Sequence, residues 1–122
     1  MLYFYPRDFT PGCTREACDF RANARAFVRA GIRIVGVSRD DRPTHARFAK
    51  TYRLPFELKS DPGLTLHRKH KAWGRKSLYG RSFMGTIRTT VLLDARGRVR
   101  KTWRKVKVDG HVKAVLDAAR AL

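Results

Sequence analysis

The stretch that decides the fold starts at Leu2-Tyr3-Phe4-Tyr5-Pro6, passes through Thr10-Pro11-Gly12-Cys13 and ends at Ile32-Arg33-Ile34-Val35-Gly36-Val37. Its first part is an aromatic, apolar run stopped by proline, which reads as a short buried strand. The last part is β-branched and reads as a second strand. Between them, residues 7 to 12 form a loop, and residues 13 to 30 read as one helix. Ala17, Phe20, Ala24, Phe27 and Val28 fall at helical spacing on its inner face, and Gly31 ends it. Strand, helix and strand in this order predict two parallel strands joined by a right-handed crossover.

Working outward, Asp40-Asp41-Arg42-Pro43 opens a helix that runs to about Tyr52, with Ala46, Ala49 and Tyr52 facing inward. A short extended piece lies between Leu54-Pro55 and Asp61-Pro62, and a brief helix follows to about Lys71. Residues 72 to 85 hold Gly74, Gly80 and Gly85 among basic residues and aromatics, and read as a loop. Residues 87 to 93 and 99 to 103 form a hairpin around Asp94-Ala95-Arg96-Gly97. Asp109 opens a last helix with Val112, Val115, Leu116 and Ala119 buried. The expected fold is α/β: a mixed sheet with helices on both faces, in one domain covering residues 1 to 122.

Composition narrows the function classes. No apolar run is long enough to span a bilayer, so a membrane partner is not expected. The N-terminus lacks a signal peptide's basic segment, and the expected location is the cytoplasm. The net charge is +18, which raises nucleic acid as a partner. The 19 arginines are scattered along the chain, and a solvated basic surface explains that charge equally. Residues 98 to 107 interleave basic residues with Val99, Trp103 and Val106, as a single-strand-binding surface would. A half-exposed strand has the same pattern, so nucleic acid is not the expected partner. His45, His67, His70 and His111 offer no evident ligand set and read as surface residues.

Only two cysteines are present, Cys13 and Cys18. One pair makes neither a secreted disulfide framework nor a zinc site. Thr10 is a good N-cap and Pro11 a good first helical residue, which places Cys13 third. There, free backbone N–H groups and the positive end of the helix favour a thiolate. A buried structural cysteine at a helix start satisfies the same tetrapeptide. In a wound helix, positions five apart hold their α-carbons roughly 8.6 Å from each other. A disulfide needs about 7 Å or less. The two sulfurs can therefore join only if the first turns unwind. Otherwise Cys18 is a small helical residue beside Ala17. A thiol–disulfide oxidoreductase site would need two residues between the cysteines, and four separate them here.

The motif Pro6-x-x-x-Thr10-x-x-Cys13, within Phe4-Tyr5-Pro6-Arg7-Asp8-x-Thr10-Pro11-Gly12-Cys13-Thr14-x-Glu16-Ala17-Cys18, resembles the active site of peroxiredoxins. The particular resemblance is to the bacterioferritin comigratory protein, or Q-type, group. Tyr52-x-Leu54-Pro55-Phe56, Ser60-Asp61-Pro62, Tyr79-Gly80-x-x-Phe83-Met84-Gly85 and Arg88-x-Thr90 extend the likeness over essentially the whole chain. It implies a thioredoxin-like fold, here N-terminally shortened. Group members carry some tens of residues before the strand that starts at Met1, so a sheet edge and some core cover are expected to be missing.

The resemblance also implies roles. Cys13 corresponds to the peroxidatic cysteine and Cys18 to the resolving one. Thr10 corresponds to the threonine whose hydroxyl contacts thiolate and substrate oxygen, Pro6 to the shielding proline, and Arg88 to the site's arginine. The implied activity is reduction of hydrogen peroxide and organic hydroperoxides through a Cys13 sulfenic acid and a Cys13–Cys18 disulfide. Thioredoxin or a glutaredoxin-like donor would recycle that disulfide. No metal or organic cofactor is implied, and the chain is expected as a monomer or weak homodimer. The competing readings are a basic nucleic-acid-binding module and an inactive truncated peroxiredoxin.

Overall fold

The computed structural model describes residues 1–122. Five strands form one mixed sheet: β1 (Leu2–Phe4), β2 (Val35–Ser38), β3 (Glu57–Ser60), β6 (Thr89–Leu93) and β7 (Val99–Trp103). Their spatial order is β3-β2-β1-β6-β7, which puts β1 at the centre. β1 runs parallel to β2 and antiparallel to β6, with Phe4 facing Val37 on one side and Thr89 on the other. The expected parallel crossover and the terminal hairpin are both present. Arg98–Lys107 contributes the edge strand β7, which pairs only with β6.

Alternation along β1 divides the core in two. Tyr3 and Tyr5 point into the larger cluster, with Phe20, Phe27, Leu92, Val115 and Leu116. Leu92 comes from β6, and the others from the helices α1 (Pro11–Ala22), α2 (Ala24–Arg29) and α5 (His111–Arg120), which share that face. Phe4 points the other way, to Val37, Val91, Ala72 and the flank of α4 (Thr65–Lys69). Gly36 is the register partner of Tyr3, and a Cβ there would stand 2.9 Å from the Tyr3 ring and 2.8 Å from Leu58. The aromatic packing at the sheet centre therefore requires glycine at that position.

Four expectations change. The helix after Cys13 is two helices, not one. Asn23 turns its side-chain amide back onto the Asp19 carbonyl at 2.9 Å, the acceptor its own N–H would use in a continuous helix. The break shifts the helical phase, so Val28 ends 74% exposed instead of buried. In α3 (Arg42–Thr51) the inward residues are His45 and Phe48, and Ala46 faces solvent.

Residues 72 to 85 are no loop. They form a separate ribbon of β4 (Trp73–Leu78) and β5 (Arg81–Thr86). Its turn has Tyr79 at φ 51° and Gly80 at φ 78°, the two positive values a tight hairpin demands. Tyrosine is an uncommon residue in that conformation. The ribbon also stands off the main sheet with its residues largely exposed, so no buried face imposed an apolar alternation. Finally, α5 is capped by Gly110, while Asp109 forms an ion pair with Arg15 of α1.

Candidate active site

The segment between β1 and α1 is held at both ends. Tyr5 continues the strand by donating its N–H to Val37 O at 3.0 Å. Its hydroxyl, inside the core, donates to Asp8 Oδ1 at 2.6 Å, and Asp8 Oδ2 lies 2.6 Å from His45 Nδ1. Asp8 N–H donates to Asp40 Oδ2, which also accepts from Ser38 Oγ. Asp8, Asp40 and His45 are close enough together to ligate a metal. Each of these groups already has a hydrogen-bonding partner, so the cluster is chemically an anchor for the loop. Phe9, at φ 65°, packs its ring on Phe48 at 5.1 Å.

From this anchored loop, α1 starts where the sequence places it. Thr10 has extended N-cap geometry, its carbonyl accepts from Thr14 N–H at 2.9 Å, and Pro11 opens the helix. The Thr10 hydroxyl does not cap the helix. It donates to Arg7 O at 2.8 Å. Cys13 lies in the first turn, 1% exposed. Arg88 precedes β6, the antiparallel neighbour of β1, and pairing in the sheet carries it to the end of β1. Its Nη2 stands 3.4 Å from Cys13 Sγ, across 75 positions of sequence. Its Nη1 donates to Glu16 Oε1 at 2.7 Å.

Of the five residues singled out in the sequence, Cys13 and Arg88 are thus brought into contact. Pro6 and Thr10 line a neighbouring cleft of about 420 Å3, which Arg39, Trp73, Lys76 and Phe83 also line. Cys18 is half-buried in α1, two positions before Phe20, and both thiols are free.

Glu16 and Lys76 were not singled out. Glu16 is fully buried, and its Oε2 has no partner. Burial pushes its carboxyl up to about 7, with the Arg88 charge pulling it back. Burial also opposes the Arg88 charge, but Glu16 and then Cys13 more than offset this and hold the guanidinium above its ordinary value. A glutamate in a helix amid charged neighbours reads as surface, so only the tertiary structure reveals it.

The histidines also differ from expectation: three of the four are buried. His45 faces Asp8, and His67 bridges Asp61 at 2.7 Å and Thr86 at 2.9 Å. His111 meets Thr90 Oγ1 at 2.7 Å. Burial, then the Arg88 charge, lowers His111 to about 4.

Glu16 and His111 therefore titrate against each other. Glu16 is raised from 4.5, so its contribution to stability is full below pH 4.5 and is lost as pH rises through about 7. His111 is lowered from 6.5, so its contribution is full above pH 6.5 and is lost as pH falls through about 4. Between pH 4.5 and 6.5 the two slopes oppose. Denaturant titrations should find these two contributions nearly cancelling there, which leaves the wild-type slope to other groups such as His70, whose imidazole is also held below its ordinary value by burial. Glu16→Gln should rise in stability with pH, and His111→Gln should fall, each by at most about 1.4 kcal/mol per pH unit. Parallel pH profiles for the three proteins would refute the pairing.

Comparison with known proteins agrees with this geometry. Residues 1–102 match the AhpC/TSA family. Peroxiredoxin Bcp of Xanthomonas campestris is 45% identical over 121 residues, 99% of this chain and 76% of the relative. Peroxiredoxin Bcp of Bacillus subtilis is 44% identical over 117 residues, 96% of this chain and 74% of the relative. Among solved structures, a Xanthomonas campestris bacterioferritin comigratory protein, studied for alkyl peroxide reduction, superposes with a TM-score of 0.93 at 44% identity. That match covers 98% of this chain and 76% of the other. A Xylella fastidiosa PrxQ mutant superposes equally well at 34% identity, covering 98% and 74%. No helix is long and apolar enough to cross a membrane. The thioredoxin-like α/β fold, the Pro6-to-Cys13 motif and the matched length together place this chain in the AhpC/TSA family, as a peroxiredoxin of the Bcp, or Q-type, group.

Proposed function

We propose that this chain is a thiol-dependent peroxidase of one thioredoxin-like domain, with Cys13 as its nucleophile. The Cys13 thiolate attacks the terminal peroxide oxygen and becomes a sulfenic acid, releasing water or an alcohol. Cys18 condenses with the sulfenic acid and expels water, leaving a Cys13–Cys18 disulfide. A dithiol of the thioredoxin or glutaredoxin type reduces that disulfide by exchange, which suits the reducing cytoplasm. The observation that carries this reading is the Arg88 guanidinium 3.4 Å from Cys13 Sγ in the first turn of α1. A permanent cation and free helix N–H groups at one sulfur favour the thiolate, and they stabilise charge developing on the peroxide oxygens. Thr10 and Pro6 supply the adjoining wall. The cleft leaves room for an organic group, so hydrogen peroxide and alkyl hydroperoxides are both proposed substrates.

The test is consumption of hydrogen peroxide and tert-butyl hydroperoxide by the purified chain with a thioredoxin system. Turnover should require the thioredoxin, and failure of both peroxides to react would end the proposal. Within that assay, Arg88→Ala should slow peroxide attack by about 10²-fold or more, the usual loss when a donor to a developing charge is removed. It should also slow alkylation of Cys13 by iodoacetamide at neutral pH. Unchanged alkylation would take Arg88 out of the site.

A further inference from the structure

When a thiolate cleaves a hydroperoxide, the sulfur lone pair forms an S–O bond to the terminal oxygen. The O–O bond breaks, and its electron pair leaves on the other oxygen as alkoxide, or hydroxide from hydrogen peroxide. That oxygen must take up a proton. Glu16, whose carboxyl is raised to about 7, is fully buried against Arg88 and does not line the cleft where the leaving oxygen would sit. Arg88, Arg7 and Arg39 are guanidinium groups, too weakly acidic to give up a proton. The Thr10 hydroxyl hydrogen is directed at Arg7 O. Asp40 Oδ2 is an acceptor for Asp8 N–H and Ser38 Oγ.

Among the groups on the cleft wall, Lys76 is the remaining Brønsted acid. It sits in the middle of β4, opposite Phe83 on β5. Its stem lies across Gly85, where a Cβ would come within 3.1 Å of Lys76 Cδ. Glycine at 85 thus leaves the space the aliphatic chain occupies, and the half-buried side chain lines the same cleft as Thr10 and Pro6. Burial lowers the ammonium below the ordinary lysine value and Arg88 adds to the lowering, while Cys13 works the other way. A lysine tuned downward is a better proton donor to a leaving oxygen.

Resting on the peroxidase reading above, we propose that Lys76 is the general acid of the site: its ammonium protonates the oxygen that leaves as Cys13 is oxidised. The sulfur loses two electrons and the peroxide gains them. The proton passes from Lys76 Nζ to the alkoxide, the alcohol departs, and the neutral amine regains a proton from solvent. The ribbon β4–β5 therefore contributes to the chemistry.

The test varies the leaving group. tert-Butyl hydroperoxide releases an alkoxide that needs a proton, whereas peracetic acid releases acetate, which does not. Cys13 oxidation is followed by rapid quench and mass spectrometry of its peptide, in wild type, Lys76→Met, Lys76→Arg and Glu16→Gln. Both Lys76 variants should slow oxidation by tert-butyl hydroperoxide about 10²-fold, the usual contribution of general acid catalysis. Oxidation by peracetic acid should stay near the wild-type rate. Lys76→Arg keeps the charge, so its failure with the alkyl peroxide separates proton donation from attraction. Equal slowing with both peroxides, full rescue by arginine, or a leaving-group-selective loss in Glu16→Gln instead would each overturn the assignment. If wild-type Cys13 reacts with neither peroxide, the peroxidase reading itself falls.

Discussion

Cys13→Ser should lose at least nine tenths of peroxide consumption, in the order-of-magnitude sense of a removed nucleophile. A serine hydroxyl stays protonated at neutral pH, even next to Arg88 and the start of α1. The substitution exchanges one small side chain for another at a position 1% exposed. Arg88 keeps its second partner, Glu16 Oε1 at 2.7 Å, so the local ion pair survives. Circular dichroism and thermal midpoint should stay close to wild type, which separates loss of chemistry from loss of fold. Residual activity above one tenth in a folded variant would mean that another group attacks the peroxide.

Oxidation of the wild-type chain should unwind α1 and leave the sheet intact. Both cysteines lie inside Pro11–Ala22, and a wound helix holds their α-carbons roughly 8.6 Å apart, beyond disulfide reach. Forming the bond must break the first turns of the helix. Three contacts resist this: the Arg88–Glu16 pair, the Arg15–Asp109 pair, and Phe20, whose ring packs 4.5 Å from that of Tyr3. Asn23 marks where the unwinding stops, because α2 begins afresh there with Phe27 in the core. Peptide-resolved hydrogen exchange should therefore show faster exchange over residues 11 to 21 in the oxidised form. Protection of Ala24–Arg29 and Val35–Ser38 should not change.

Cys18→Ala should stop at the sulfenic acid with α1 wound, and should over-oxidise to sulfinic acid more readily. A Cys13–Cys18 disulfide in a chain that exchanges like the reduced one would refute the coupling. Intermolecular disulfides alone would remove Cys18 as the intramolecular resolver.

The residues legible in the sequence are those whose signal is local. Strand, helix and strand follow from apolar runs, Pro6, Pro11 and Gly31, and the first-turn position of Cys13 follows from Thr10-Pro11 alone. The Asp94-to-Gly97 hairpin is equally local, with Asp94 Oδ1 accepting from Arg96 and Arg98 N–H and Gly97 at φ 77°. Arg88 could be chosen among nineteen arginines only through the family motif, since nothing in its own neighbourhood distinguishes it.

Other features depended on burial or on pairs distant in sequence. Asn23 splits a helix that periodicity joins, because a single side-chain hydrogen bond outcompetes one backbone bond. Tyr79-Gly80 closes a ribbon whose residues carry no apolar alternation, because most of them meet solvent. His45, His67 and His111 look like surface residues until Asp8, Asp61 and Thr90 are folded against them. Glu16 reads as a solvated charge on an amphipathic helix, and Lys76 as one of several basic residues in a loop.

By itself the sequence determined the order of the central strands and their flanking helices, the place of the nucleophile at a helix start, and the family. Those signals depend on residues within a few turns of one another. The tertiary structure alone decided the electrostatics of the site. Arg88 reaches Cys13 from just before β6, Glu16 meets Arg88 from the buried face of α1, and Lys76 lines the neighbouring cleft from β4. The energy of a charge depends on what surrounds it in space and how much water remains.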